Sequence, residues 1–277
     1  MRADLDNILA EKGVEALLLY SESFKNSDMY YLTKFLAPDP FIFIKKVDAD
    51  PVIVVNQMEY PRAQKQSIIK DARSYFEYKY LEVVKTAKEP HLGTMKFIAN
   101  VAKKELYADT KICVPHDFPA MAADILREEG LIVKPMFDVV EKARETKDVD
   151  EIDEIRAVQA VAEEVTAEAI DLIANADLGA NGTLTVKKEP LKVGKVKSFF
   201  GHKFLDHGCV TEEDIIVACG PKASDPHYFG DPQDVLKANQ PIILDVVPRS
   251  VQKRYWTDMT RTIVKGKASD KVRKMFG

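Results

Sequence analysis

The first half of the chain alternates short apolar runs with amphipathic stretches, and that pattern predicts its elements. Leu5, Ile8 and Leu9 recur at helical spacing and stop at Gly13, which predicts a helix over residues 1–13. The run ALLLY at 16–20 is too continuously apolar for an edge strand. Pro38 and Pro40 break NSDMYYLTKFL before a strand at 41–47, the acidic turn 48–50 reverses the chain, and 51–55 returns, predicting a hairpin. A helix from 60 to 67, a short strand at Tyr75, a helix over 95–106, a strand at 111–114, a helix over 119–129 and a strand at 131–133 follow. Strands alternating with helices predict an α/β domain over residues 1–140.

A dense run of charges, VVEKARETKDVDEIDEI, marks a boundary, and residues 141–277 form a second domain in this reading. Ile152, Ile155, Val158, Ala162, Val165, Ala169 and Leu172 give the three-to-four residue period of a long helix over 148–176. GANG at 179–182 is a turn. Val193, Val196, Phe200 and Phe204 stripe a second helix over 190–208, stopped at Gly208. A strand at 215–220, a loop at 221–232 and the segment 241–264 complete the order. That last segment, PIILDVVPRSVQKRYWTDMTRTIV, predicts two strands joined by a short basic turn.

Asp245 lies inside an apolar run and Asp258 between Thr257 and Met259. A buried carboxylate without a partner costs several kcal/mol or takes up a proton. Two such groups on neighbouring strands repel each other unless a cation lies between them, which is the physical case for a metal pair. The residues are equally compatible with one functional Asp and one that merely turns a strand, because strand twist leaves the facing open. His227, in the loop between Pro226 and Tyr228, is either a surface residue or, just upstream of the carboxylate strands, a donor to a substrate carbonyl or carboxylate. His202 and Asp206, four apart, read as a helical surface pair. The cysteines are nucleophiles only with a base partner, and Cys219, at a strand end near His227, is the one geometric candidate among them. Tyr30, Tyr31, Tyr60 and Arg62 either line a cleft or pack around the first hairpin.

Composition narrows the function classes. The chain is 46% hydrophobic and 30% charged, ordinary for a globular protein. A net charge of −4 offers no polycation for nucleic acid. No apolar run approaches a membrane span, and three cysteines without CxxC spacing point to a reducing compartment, so a cytoplasmic location is expected. Neither GxGxxG nor a Walker motif is present.

DPHYFG, ILDVVPR and YWTDMTRTIVKG together resemble the metallopeptidases of the creatinase and methionine-aminopeptidase type, the pita-bread enzymes. YYLTKFLAPDPF, QMEYPRA and DARSY resemble the N-terminal domain of their Xaa-Pro dipeptidase (prolidase) and Xaa-Pro aminopeptidase branch. The resemblance implies an α/β creatinase-type N-terminal domain followed by the first half of an α+β pita-bread domain. It implies Asp245 as a chelating metal ligand, Asp258 as a ligand bridging two divalent ions (Mn, Co or Zn), and His227 as the substrate-contacting histidine. Twelve residues separate the two aspartates, slightly more than in familiar members. It further implies hydrolysis of the bond before proline in short peptides, and a homodimer.

The same resemblance asks for one more His and two Glu, and the nineteen residues after Asp258 contain neither type. Half a site, with weak or absent metal binding and no turnover, is therefore expected, the remaining half lying outside the chain. A non-catalytic peptide- or protein-binding relative and a creatinase-like C–N hydrolase are the alternatives.

Overall fold

The computed structural model describes residues 4–276. The chain divides into two compact units, residues 1–146 and 147–277. The first unit runs α1 (Asp4–Glu11), β1 (Ala16–Ser21), α2 (Ser27–Thr33), β2 (Phe41–Lys46), β3 (Val52–Val55), α3 (Tyr60–Gln66) and β4 (Asp71–Ser74). It continues through α4 (Tyr80–Lys85), α5 (Pro90–Glu105), β5 (Lys111–Pro115), α6 (Ala120–Glu128), β6 (Ile132–Met136) and α7 (Val139–Glu145). Of the first expected helix, residues 1–3 lie outside the described residues.

Six strands form one mixed sheet in the order β4-β3-β2-β1-β5-β6. The expected hairpin is present: β2 and β3 pair antiparallel, with Phe43 opposite Ile53. The apolar run of β1 is explained by its central place and by cover on both faces. Leu18 packs with Ile42, Ile44 and the α5 and α6 side chains Phe97 and Leu126. Leu17 and Leu19 face the other way, against Phe41, Phe43, Leu5, Met29 and Val140. Alternation along a strand buried on both sides demands apolar residues at every position.

One expectation fails here. Tyr75 begins a 3-10 turn over Tyr75–Tyr78, and the strand is the preceding β4. Ser74 ends that strand by capping the turn, its hydroxyl accepting from the Phe76 N–H at 3.2 Å while Glu77 accepts from the Ser74 N–H at 2.7 Å. Helices α2 and α4 carry no periodic stripe long enough to stand out from their flanks. The Tyr31 hydroxyl donates to the Ala143 carbonyl at 2.9 Å, and Arg62 stacks over Phe35 and donates to the Leu36 carbonyl. These residues therefore pack within the first unit.

The second unit runs α8 (Val149–Ala174), β7 (Asp177–Leu178), β8 (Leu184–Val186), β9 (Glu189–Pro190), α9 (Val193–Asp206), β10 (Cys209–Thr211) and β11 (Ile216–Cys219). After a long loop come β12 (Ile242–Val246), β13 (Pro248–Ser250), β14 (Met259–Ile263) and α10 (Asp270–Phe276). Strands β11, β12 and β14 form an antiparallel sheet in that order. Its inner face packs Val217, Leu244, Val246 and Met259 against Val158, Ala162 and Val165 of α8 and Phe200 and Phe204 of α9.

Here too the sequence reading needs correction. The connection between β12 and β14 is not a plain turn: β13 lies within it and pairs with β10, Val210 opposite Arg249. Three-residue strands such as β10, and the small β7-β8-β9 sheet around the GANG turn, are too short to show a period.

Candidate metal and substrate site

Asp245 sits on the central strand of the second unit's sheet. Along β12 the residues Ile242, Leu244 and Val246 are buried, whereas Ile243, Asp245 and Val247 are half-buried. Asp245 pairs with Thr260 across the ladder, and the Thr260 hydroxyl donates to its Oδ1 at 2.6 Å. That bond fixes both side chains on the outer face. Asp258 immediately precedes β14, whose register sets Met259 opposite Val246, so it enters beside the end of the strand that carries Asp245.

The other residues of that segment are tied to α8. The Tyr255 hydroxyl donates to Glu151 at 2.6 Å, the Thr257 hydroxyl donates to the Gln159 carboxamide, and Gln159 Nε2 approaches the Met259 sulfur at 3.8 Å. Positions 255, 257 and 259 therefore serve the helix. The two expected ligands thus belong to neighbouring segments, Asp245 on β12 and Asp258 just before β14. Neither is buried: Asp245 is half-buried and Asp258 exposed. The repulsion of two desolvated carboxylates, which led to the pair in the sequence, is therefore not the force at work; solvent reaches both.

His227 is exposed in the loop after β11. Its backbone N–H donates to Asp225 Oδ1 at 2.9 Å. Two residues on, the Phe229 carbonyl accepts from the Val217 N–H of β11 at 3.2 Å. The loop therefore returns along the free edge of the sheet whose centre carries Asp245. Gly230 makes this approach feasible: its φ is +94°, and a Cβ there would stand 2.2 Å from the Val217 carbonyl oxygen.

The remaining candidates separate from this face. His202 is an exposed helical residue whose Nδ1 lies 2.6 Å from the Ser198 carbonyl oxygen of its own helix, as a surface residue should. The Cys219 sulfur is occupied with the Lys237 backbone, and burial raises its thiol pKa, the opposite of an activated nucleophile.

A divalent ion asks for several hard oxygen donors converging on one point. Asp245 and Asp258 are the right donor type on an open face, but Thr260 already holds one Asp245 oxygen. Among the described residues no group of three His, Cys, Asp or Glu is placed to hold a metal. The pair fits an edge of a metal centre and does not fit a two-ion centre. Among these residues, too, no helix is long and apolar enough to cross a membrane.

Fold and candidate site together define a class: an α/β domain followed in the chain by a helix-backed antiparallel sheet with Asp245 on its central strand and Asp258 just before the next. Profiles of known families agree. Residues 1–158 match the creatinase/prolidase N-terminal domain, and residues 153–276 match metallopeptidase family M24. The chain belongs to the creatinase/prolidase family, with an M24-type metallopeptidase domain of pita-bread fold following the N-terminal domain.

Solved structures share the fold at low identity. An Xaa-Pro dipeptidase from Bacillus anthracis is 20% identical with a TM-score of 0.73, over 98% of this chain and 66% of that one. The prolidase from Pyrococcus furiosus is 16% identical with a TM-score of 0.67, over 98% and 68%. The X-Pro aminopeptidase from Thermotoga maritima MSB8 is 17% identical with a TM-score of 0.67, over 98% and 67%. The chain thus spans about two thirds of the length of these proteins. Among curated proteins none matches.

Proposed function

We propose that the chain carries one half of a metallopeptidase site directed at the peptide bond before proline, with Asp245 and Asp258 as metal ligands and His227 as the substrate contact. The observation that supports it most is the Asp245–Thr260 pair on the outer face of the sheet, with Asp258 just ahead of the same strand β14 and the loop that bears His227 along the β11 edge. Prolidase and Xaa-Pro peptidase relatives with the same fold support the choice of bond. A bound divalent ion would supply carbonyl polarisation and an activated water; Mn²⁺ or Co²⁺ suits a carboxylate-dominated site at least as well as Zn²⁺. Short proline-containing peptides are the substrate class, a homodimer the assembly and the cytoplasm the location in this reading.

The test is calorimetry with Mn²⁺ and Ala-Pro turnover with Mn²⁺, Co²⁺ or Zn²⁺, using the purified 277-residue chain. Two carboxylates leave most of the coordination sphere to water, so binding no tighter than about 10⁻⁴ M and no turnover are expected. The double variant Asp245→Asn, Asp258→Asn should abolish the heat of binding. Turnover by this chain would overturn the half-site, and binding that survives the double variant would overturn the ligand assignment. The alternative is a peptide-binding relative without catalysis. Ala-Pro binding that is indifferent to metal would select it.

A further inference from the structure

The loop that carries His227 is closed by a clasp that the metal-site reading does not use. Lys222 Nζ donates to both carboxylate oxygens of Asp234, at 2.8 and 2.9 Å, and lies 3.1 Å from the Tyr228 hydroxyl. The Tyr228 hydroxyl in turn donates to Asp234 Oδ2 and accepts from the Asp231 N–H at 3.1 Å. The Lys222 ammonium also lies over the Tyr228 ring, 5.2 Å from its centre. Asp234 is itself fastened to the body of the unit, because its carbonyl accepts from the Val193 N–H at the start of α9 at 2.9 Å. The two ends of the loop, at 222 and 234, therefore meet at the side chain of the residue next to His227.

A long surface loop is ordinarily mobile. This one has its base crossed by a charge-assisted pair and its descending limb pinned to β11 through Phe229 and Gly230. Residues 225–227 form the exposed tip, turned by hydrogen bonds from the Asp225 N–H to the Lys222 carbonyl, from the Tyr228 N–H to the Asp225 carbonyl and from the His227 N–H to Asp225 Oδ1. Isolated surface ion pairs contribute little to global stability, so the value of such a clasp is local order. A contact residue that must be ordered upon binding loses affinity in proportion to the fraction of time it is out of place.

We propose that Tyr228, with Asp234 and Lys222, is the positioning group for His227, holding its backbone in the geometry from which the imidazole meets the substrate. This rests on the substrate role proposed for His227. Lys222 supplies the charge that keeps Asp234 an acceptor, and Tyr228 transmits the constraint along one peptide bond.

The test is ¹⁵N relaxation at His227 and Phe229, with thermal melting of each protein as a check on global stability, in the parent chain and in Tyr228→Phe, Asp234→Asn and Lys222→Arg. Order parameters near 0.85 are expected in the parent and in Lys222→Arg, falling below about 0.6 in the other two, with the melting temperature held. Unchanged order at His227 in both Tyr228→Phe and Asp234→Asn would overturn the proposal. Ala-Pro is then titrated while the His227 ring signals are followed. Tyr228→Phe should need about fivefold more dipeptide for the same displacement, by the fraction of ordered loop, and Lys222→Arg should not. Ring signals that ignore Ala-Pro in every protein would refute the substrate role of His227, while the order parameters still decide the clasp.

Discussion

Gly230 offers the sharpest test of how the loop is seated. Replacing it by Ala puts a side chain on a residue with φ of +94° and a methyl carbon 2.2 Å from the Val217 carbonyl oxygen, which is backbone in the middle of β11. The conformational penalty is about 1–3 kcal/mol. The overlap exceeds an ångström and is relieved only by moving the limb away from β11. That motion costs the 3.2 Å bond from the Val217 N–H to the Phe229 carbonyl, about 1 kcal/mol. The sum is about 2–4 kcal/mol. The single tryptophan, Trp256, lies in this unit, so its fluorescence follows urea unfolding of the unit alone. With a slope of about 2 kcal/mol per molar, the midpoint should fall by about 1–2 M.

Gly201→Ala is the control. Gly201 lies inside α9 with open space around the added carbon, and that variant should gain about 0.5–1 kcal/mol. A Gly230→Ala midpoint within about 0.3 M of the parent at unchanged slope would refute the seating of the loop on β11.

Leu244→Ala removes a fully buried side chain from the centre of the inner face and should cost about 3–5 kcal/mol in the same urea assay. Lys45 is buried and pairs with Asp6, so Asp6→Ala should destabilise the first unit by about 1–3 kcal/mol, read by far-ultraviolet circular dichroism. Burial pushes the Cys113 thiol up to about 11 from 9.0, a raised pKa whose stabilising contribution is full below pH 9 and is lost as pH rises towards 11. The stability gap between parent and Cys113→Ala should therefore narrow across that window. With the other two thiols also raised by burial, native protein at pH 7 should react slowly with a thiol reagent, and all three cysteines should react in denaturant.

How much of this was legible in the sequence depended on periodicity. The runs 16–20, 41–47 and 51–55 declared themselves because strands covered on both faces are apolar at every position, and α8 because Val158, Ala162, Val165 and Ala169 do line the core, although Ile152 is exposed and Ile173 rather than Leu172 is the buried residue at the far end. Tyr75 misled because a run of Tyr and Phe has strand propensity, whereas the structure uses it for a 3-10 turn capped by Ser74. The clasp of Lys222, Tyr228 and Asp234 was invisible: its members lie six and twelve apart in a loop, where no period relates them. Lys and Asp in a polar loop carry no signal until the chain ends that meet are known.

Asp258 shows why a candidate site residue can be readable by type and yet not by orientation. The sequence placed two carboxylates near two strands but left their facing open, because a strand offers two faces and the connection contains β13. The decision lies 100 residues away, on α8. Gln159 accepts from Thr257 and reaches Met259, so the residues on either side of Asp258 are both drawn inward by one side chain. A slip of one residue would send the carboxylate into a core of Val158, Ala162 and Leu244 and bring Met259 out. The penalty for that exchange, a desolvated charge together with a lost apolar contact, makes the exposed placement a property of the whole unit rather than of the aspartate. Glu151 and Gln159 of α8 therefore bear on how the segment around the candidate ligand Asp258 is held.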